Sequence, residues 1–375
     1  MGRPSHGRAD GILVVGLMSS ASGLGNSARL CADQLMARGY SVSSKDVAPF
    51  FGVSDDVGFA SNAANGSGAS IAIYHLNPPK LLPGIMRAGL RQYYGSYNIG
   101  YWAWELETLP REWVNAIRFV DAIMVPSEFC RAAIARYTDK PVAVVPHPLQ
   151  SLQPLPPRTR DESRPFTVLL MLNFGSSFQR KNPYAALRAF VLAFGADPNA
   201  RLIFKTSGGH RYSGELAKLN AHASGMPNVE IVDEIWSEDR LNAAYRRADA
   251  YLSLHRSEGY GLTIAEAMMM ECPVVVTGWS GNLDFCTDET AFLVRHSLTA
   301  FHDDDPSYEG VTGARWAEPS AEDAARLLRL LRDEPALARR KAEAARRYLI
   351  AHTSERSYDR ALTSLLGGHV PKGCR

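Results

Sequence analysis

Short apolar runs recur along this chain, separated by longer stretches with a helical period. Ile12–Leu17, Ser70–Tyr74, Asn98–Tyr101, Ala122–Val125 and Val142–Val145 are four to six residues long, which predicts buried strands. Between them Ala28–Arg38 and Ser127–Arg136 carry apolar residues three and four apart and are expected to be helices. The texture then changes to QSLQPLPPRTRDESRP, dense in proline and charge, which predicts a linker at 151–164. A second alternating series follows, with strands expected at Thr167–Leu172, Leu202–Thr206, Val229–Val232, Ala250–Leu254 and Pro273–Thr277. Its helices are expected at Pro183–Phe194 and Ser237–Arg247, and then in an Ala- and Arg-rich tail at Ala321–Leu331, Pro335–Leu349 and Ser354–Leu366. Such alternation marks α/β sheets that are mostly parallel, here in two halves, 1–150 and 165–353.

Composition narrows this picture. With 375 residues, 46% apolar and 21% charged, the chain has the material for two ordinary globular domains. A net charge of +2 gives no reason to expect nucleic acid, and no run approaches the roughly 18 apolar residues of a membrane span. The run Ile12–Met18 is too short for a signal segment and fits a first strand. Five scattered cysteines (Cys31, Cys130, Cys272, Cys286, Cys374), with no Cys-x-x-Cys pair, argue against a disulfide framework or zinc site and for a reducing cytoplasm.

The stretch HRSEGYGLTIAEAMMMECPVVV, residues 255 to 276, is the most chemically pointed. Glu258 and Glu266 stand eight positions apart, with Gly259, Tyr260 and Gly261 between them and a helix expected from Leu262 or Thr263. Glycines admit a ligand close to backbone N–H groups, and a helix start aims its free N–H groups at an anion. Glu266, expected in the first turn, has two acceptor oxygens suited to a sugar diol. A phosphate and a sugar together describe a nucleotide-sugar. The competing interpretation is an ordinary loop-to-helix turn with both acids solvated.

The string EGYGLTIAEAM before a buried strand resembles the Glu-x7-Glu signature of retaining glycosyltransferases of the GT-B fold, family 4 in particular, and the likeness runs along nearly the whole chain. It implies two Rossmann-like domains facing across a cleft, with 354–375 returning to the first. It places the ribose diol on Glu266 and the transferred sugar's hydroxyls on Glu258. In Asn173–Pro183, a Gly/Ser loop ends in Arg180 and Lys181, cations suited to a leaving diphosphate; the family's arginine stands about five residues before the lysine, where this chain has Ser176. Gly281 and Asn282 resemble the family's small-residue loop, offering backbone N–H groups to a phosphate, with Asp284 where a Glu is common.

The N-terminal loop of Gly23 and Gly25 resembles the family's loop facing the donor phosphates. With Ala28 and Asp46 it also spells a dinucleotide fingerprint, so an NAD(P)-dependent oxidoreductase is a rival reading, although several residues separate Leu17 from Gly23. A non-catalytic nucleotide-sugar-binding protein is another. The segment Tyr101–Glu107 sets Trp102 and Trp104 beside Glu105, and with His75 these are the acceptor-side candidates, against core tryptophans and a structural histidine as the plainer reading. Asp303, Asp304 and Asp305 fit a surface insertion better than a metal site. Arg87, Arg91, Tyr93 and Tyr94 have the character of a peripheral membrane contact.

The expectation is a cytoplasmic, metal-independent retaining hexosyltransferase, at work in places on the inner face of the membrane. It uses a GDP- or UDP-sugar and a glycan or lipid-linked acceptor, and needs no cofactor and no nucleic acid.

Overall fold

The computed structural model describes residues 11–55, 57–59, 68–149, 155–156, 158 and 161–367. Of the expected linker, residues 151–154, 157, 159 and 160 lie outside these, as does Cys374. The chain forms two compact units: one takes in Met1–Gln150, Gly310–Thr312 and Thr353–Arg375, the other Ser151–Glu309 and Gly313–His352.

The first unit holds six parallel strands: β1 (Ile12–Gly16), β2 (Val42–Asp46), β3 (Ile71–His75), β4 (Tyr97–Tyr101), β5 (Ala122–Val125) and β6 (Val142–Val144). Their order is β2-β1-β3-β4-β5-β6, with Gly16 opposite His75 where β1 meets β3. Strand β2, VSSKD, is a half-exposed edge strand with no apolar run, so the hydrophobic pattern does not announce it. The helix Gly23–Ala37 begins five residues before the expected Ala28, because Ser22 caps it by accepting the Gly25 N–H at 3.3 Å. Its Ala28, Cys31, Ala32 and Leu35, three or four apart, join Ile12, Val14, Ile71 and Ile73 in the core.

A later helix, Tyr358–Leu365, completes this unit. Tyr358, Ala361 and Leu362 belong to the same core, and the Tyr358 N–H donates to Gln34 Oε1 at 3.1 Å. The Tyr358 ring lies 5.9 Å from Tyr101 and 6.0 Å from His75.

The second unit has its own parallel sheet: β7 (Phe166–Asn173), β8 (Ala200–Ser207), β9 (Val229–Asp233), β10 (Ala250–Ser253), β11 (Val274–Thr277) and β12 (Phe292–Val294), in the order β12-β11-β10-β7-β8-β9. Leu170, Leu172, Leu202, Phe204 and Leu252 pack against Phe190 and Phe194 of the helix Pro183–Phe194 and against Leu328 and Leu331 of the helix Ala321–Asp333. Each such buried side chain is worth about 1.5–3 kcal/mol. An antiparallel hairpin, β13 (His296–Ala300) and β14 (Arg315–Pro319), brackets the aspartate-rich stretch; its exposed first strand has no alternation to reveal it. Among the described residues no helix is long and apolar enough to cross a membrane.

In both sheets the order in which strands are added reverses at one point, between β1 and β3 in the first unit and between β7 and β10 in the second. In open α/β sheets ligands bind beyond the carboxyl ends of the strands at such a reversal. In the second unit those ends lead into Phe174–Asn182 and Leu254–Gly261, the two segments singled out by their chemistry.

Candidate active site

After β7, Ser177 caps a one-turn helix, Phe178–Lys181, by accepting the Arg180 N–H at 3.0 Å, and Asn182 ends it in the left-handed region at φ 51°. The Ser177 hydroxyl also meets Asp303. This turn is tied to the segment after β10: the Arg256 N–H donates to the Arg180 carbonyl at 2.8 Å, and Arg256 Nη1 to the Gln179 carbonyl at 2.7 Å.

The crossing brings Glu258 against Lys181, 77 residues earlier in the sequence, and against its neighbour Arg180. Lys181 Nζ lies 2.5 Å from Glu258 Oε1, and Arg180 Nη1 lies 3.1 Å from Oε2 while donating to the Ser257 carbonyl at 3.0 Å. Glu258 is 7% exposed and Arg180 5%. Burial alone would raise the Glu258 carboxyl, but Lys181 and then Arg180 outweigh it and hold it at about 2. Two cations against one carboxylate leave an excess of positive charge here. Arg180 is thus committed to Glu258 and a carbonyl, and Lys181 is the more accessible cation, its side chain 19% exposed. Of the two expected diphosphate cations, Lys181 is thus partly exposed and Arg180 is buried.

A third loop, after β11, supports Glu258 from its backbone. The Glu258 N–H donates to Ser280 Oγ at 2.8 Å, and the Gly281 N–H donates to the Glu258 carbonyl at 2.9 Å. Gly281 is therefore no phosphate donor, as its N–H is already used. Asn282, fully buried, gives its amide N–H to the Thr277 carbonyl at 3.0 Å and faces His255 Nε2 with its oxygen at 3.0 Å. Since His255 Nε2 meets only carbonyl oxygens, the proton is assigned there, and Nδ1 accepts from Ser253 Oγ at 3.0 Å. Burial lowers the His255 imidazole to about 4, so it is neutral at pH 7. This His255–Asn282 brace joins the ends of β10 and β11, and only the fold discloses it.

Gly281 has no room for a side chain: a Cβ would stand 2.2 Å from the Gly259 carbonyl oxygen and 2.8 Å from that of Glu258. Gly281→Ala is expected to lower stability by about 1–3 kcal/mol and to displace the Glu258 loop. A denaturant midpoint equal to that of the wild type would show that these loops separate at no cost.

The helix Leu262–Met269 begins at Gly261, φ 92°, whose carbonyl takes the N–H groups of Ile264 and Ala265. Leu262 and Thr263 occupy its first turn, where backbone N–H groups are free of intrahelical partners. The Tyr251 hydroxyl donates to Thr263 Oγ1 at 2.7 Å, and the Tyr245 hydroxyl to Glu266 Oε2 at 3.0 Å. Glu266 is the fifth helical residue, one beyond the first turn expected for it. Burial raises its carboxyl to about 7, against the pull of the Tyr245 hydroxyl and the Lys205 ammonium. Tyr260 is only 3% exposed, its ring 4.8 Å from Phe285, so its side chain serves the core rather than the donor. Gly259 lies in the same buried loop.

The remaining candidates lie in the first unit. Gly23 and Gly25 stand in the first turn of the helix, and a Cβ on Gly25 would meet the Ser20 carbonyl oxygen. Trp102 and Trp104 are not wall residues: both are buried, their rings 6.1 and 4.4 Å from Trp113, and Trp104 Nε1 donates to the Thr108 carbonyl at 2.9 Å. A sugar has no ring face left to stack upon. Glu105, the residue after Trp104, is half-buried. His75 is fully buried at the end of β3, stacked on Tyr101 at 4.3 Å, with Nδ1 3.1 Å from Ser27 Oγ. Burial and then His147 hold its imidazole well below the usual range, so it is a neutral structural histidine. Sequence reading missed His147, whose Nδ1 is 3.3 Å from the Tyr101 hydroxyl and which nothing local distinguishes. Among the described residues no group of three or more His, Cys, Asp or Glu side chains is arranged to hold a metal ion.

Residues 167–304, which contain Lys181, Glu258 and Glu266, match the family described as Glycosyl transferases group 1. No curated protein matches the chain. Several solved structures share its fold. A TarM variant from S. aureus, in complex with fondaparinux, alpha-GlcNAc-glycerol and UDP, is 14% identical with a TM-score of 0.56, over 80% of this chain and 55% of its own. The present chain thus spans little more than half the length of that relative. HepE from Anabaena, in complex with UDP and glucose, is 12% identical at a TM-score of 0.61, over 95% of this chain and 100% of its own. Sucrose-phosphate synthase from Thermosynechococcus elongatus is 14% identical at 0.63, over 96% and 98%. At such identities the likeness establishes the fold, and the family match falls on the unit that carries the charged site. The second unit thus carries a match to the Glycosyl transferases group 1 family, and the chain shares the two-sheet GT-B fold of these structures.

Proposed function

We propose that the protein is a retaining hexosyltransferase that takes its sugar from a UDP- or GDP-sugar, without a metal ion, and passes it to a hydroxyl of a glycan or lipid-linked acceptor in the cytoplasm. The observation that carries this reading is the meeting of Lys181, Glu258 and the helix start at Leu262 beyond the sheet reversal of the second unit, with Glu266 one turn further on. Departure of a nucleoside diphosphate creates negative charge. The excess positive charge around Glu258 and the N–H groups of Leu262 and Thr263 are placed to receive it, and such prepared donors are usually the largest catalytic contribution. Glu266 takes the ribose diol and Glu258 the hydroxyls of the transferred sugar. Retention follows from the family resemblance, in which a phosphate oxygen of the leaving group accepts the acceptor's proton. UDP is the first donor nucleotide to test, because several proteins of this fold have been crystallised with it. The oxidoreductase reading loses support because Gly23 stands inside a helix seven residues beyond the end of β1, where the fingerprint requires a glycine turn.

A thermal-shift panel of UDP, GDP, ADP and their sugars, run at pH 6 and pH 8, tests the reading. A ligand at 100 times its dissociation constant adds about 2.7 kcal/mol of stability. With the intact sugar nucleotide, whose diphosphate does not titrate here, the pH dependence reports Glu266. Its carboxyl stands at about 7 alone, and two hydroxyl donors favour the ionised form, so binding lowers that value and releases a proton. Affinity is therefore full above pH 7 and falls by about tenfold at pH 6. Glu266→Gln is expected to weaken binding at pH 8 and to remove the pH dependence. Stabilisation by none of the panel would sink the nucleotide-sugar reading, and a pH-independent affinity would sink the ribose role of Glu266.

A further inference from the structure

The first unit presents an apolar face where a surface helix ordinarily presents polar residues. The helix Pro78–Ala88 buries Leu81 and Ile85 and turns Leu82 and Met86, one turn apart, outward at 44% and 64% exposure. Gly89, at φ 108°, ends it, and the following turn Leu90–Gly95 repeats the arrangement with Leu90 at 52% and Tyr94 at 76%. Phe50, 58% exposed, extends the face, since Lys80 lies 5.5 Å over the adjoining Phe51 ring. Single exposed apolar side chains are ordinary, but five from neighbouring turns are not.

Along the segment itself the charge has one sign. Between Pro78 and Gly95 stand Lys80, Arg87 and Arg91, with no Asp or Glu, and both arginines are exposed. The segment is firmly seated: the Tyr93 hydroxyl donates to the Phe119 carbonyl at 3.0 Å, and Gln92 Nε2 to the Ala69 carbonyl at 2.7 Å. Tyr93 therefore faces inward, contrary to its expected role beside Tyr94, and Tyr94 alone of the two offers its ring to the exterior. A second copy of the chain would set like cations against one another across such a contact. A surface of anionic lipid offers both of the missing counterparts, apolar chains for Leu82, Met86, Leu90 and Tyr94 and negative headgroups for the cations.

We infer that the face formed by Phe50, Leu82, Met86, Leu90 and Tyr94, rimmed by Lys80, Arg87 and Arg91, docks the protein on an anionic lipid bilayer. The docking needs nothing from the transfer reaction proposed above, and the two are tested separately.

Flotation of the purified full chain with vesicles of phosphatidylcholine alone, or of phosphatidylcholine mixed with phosphatidylglycerol, reads the binding. The protein is expected to float with the mixed vesicles, far less with phosphatidylcholine, and less again as salt is raised. The double variant Met86→Glu, Leu90→Glu changes only exposed side chains, so the fold is not at stake, and its partitioning is expected to fall by roughly tenfold or more. Arg87→Gln and Arg91→Gln should each cost roughly fivefold on the mixed vesicles only. Nucleotide binding by these variants is expected to stay at the wild-type level. Failure of the wild type to float with phosphatidylglycerol, or flotation of the double variant like the wild type, overturns the proposal. So does a double variant that shifts in elution volume, because the covered partner would then be a second copy.

Discussion

Lys181→Ala is expected to lower the turnover number by about 10²–10³, with a smaller effect on donor affinity. Lys181 and Arg180 both face the single Glu258 carboxylate, so the three groups together carry one net positive charge. That charge matters most as the diphosphate leaves, which means that it binds the transition state more tightly than the bound donor. Steady-state kinetics separates the two: the loss should fall on kcat, with KM changed less. Lys181→Arg should recover little, because a planar fork and a point charge place their donors differently. Wild-type turnover in a Lys181→Ala protein that is folded by circular dichroism would remove this loop from the chemistry.

Arg180→Ala is expected to act first on stability, lowering it by about 3–5 kcal/mol, because it leaves a buried carboxylate with one of its two cations gone. It also strips a donor from the Ser257 carbonyl, which is held in the same buried turn. Replacing both members of the pair, as Arg180→Met with Glu258→Gln, should recover part of that stability without recovering turnover, since no buried carboxylate is then short of a cation and only the more accessible Lys181 loses its partner. Denaturant midpoints of the two single variants and the double give the cycle. A stable Arg180→Ala protein that loses turnover as fully as Lys181→Ala would instead place the guanidinium on the diphosphate itself.

The strands with apolar runs were legible because their residues satisfy only one environment. Leu13–Val15, Ile71–Tyr74 and Val274–Val276 have nowhere to go but the middle of a sheet. Strand β2 and the β13–β14 hairpin were not legible, since VSSKD and HSLTA owe their pairing to a neighbour and not to their own composition. At the site, Glu258, Glu266 and Lys181 were found by residue type and spacing. Their partnerships were hidden: Glu258 with Lys181 depends on two strands coming side by side, and His255 with Asn282 on a third loop. Trp102 and Trp104 were misplaced for a related reason, because an indole suits a sugar and a core equally and only Trp113 decides between them.

The helix Tyr358–Leu365 has a consequence for how the protein comes into being on the ribosome. The second unit is inserted in the sequence between the body of the first unit and the helix that covers its Tyr101 and His75 rings. Domains generally fold as they emerge, the leading one first. Here the leading unit leaves the ribosome with part of its apolar interior uncovered, and stays so while roughly two hundred further residues are made, about 10–40 s of synthesis. The second unit, nearly continuous in the chain, has all its strands in hand long before that helix arrives. The order of maturation is therefore the reverse of the order of translation, and a nascent chain halted before Tyr358 would be a natural client for a chaperone through its first unit.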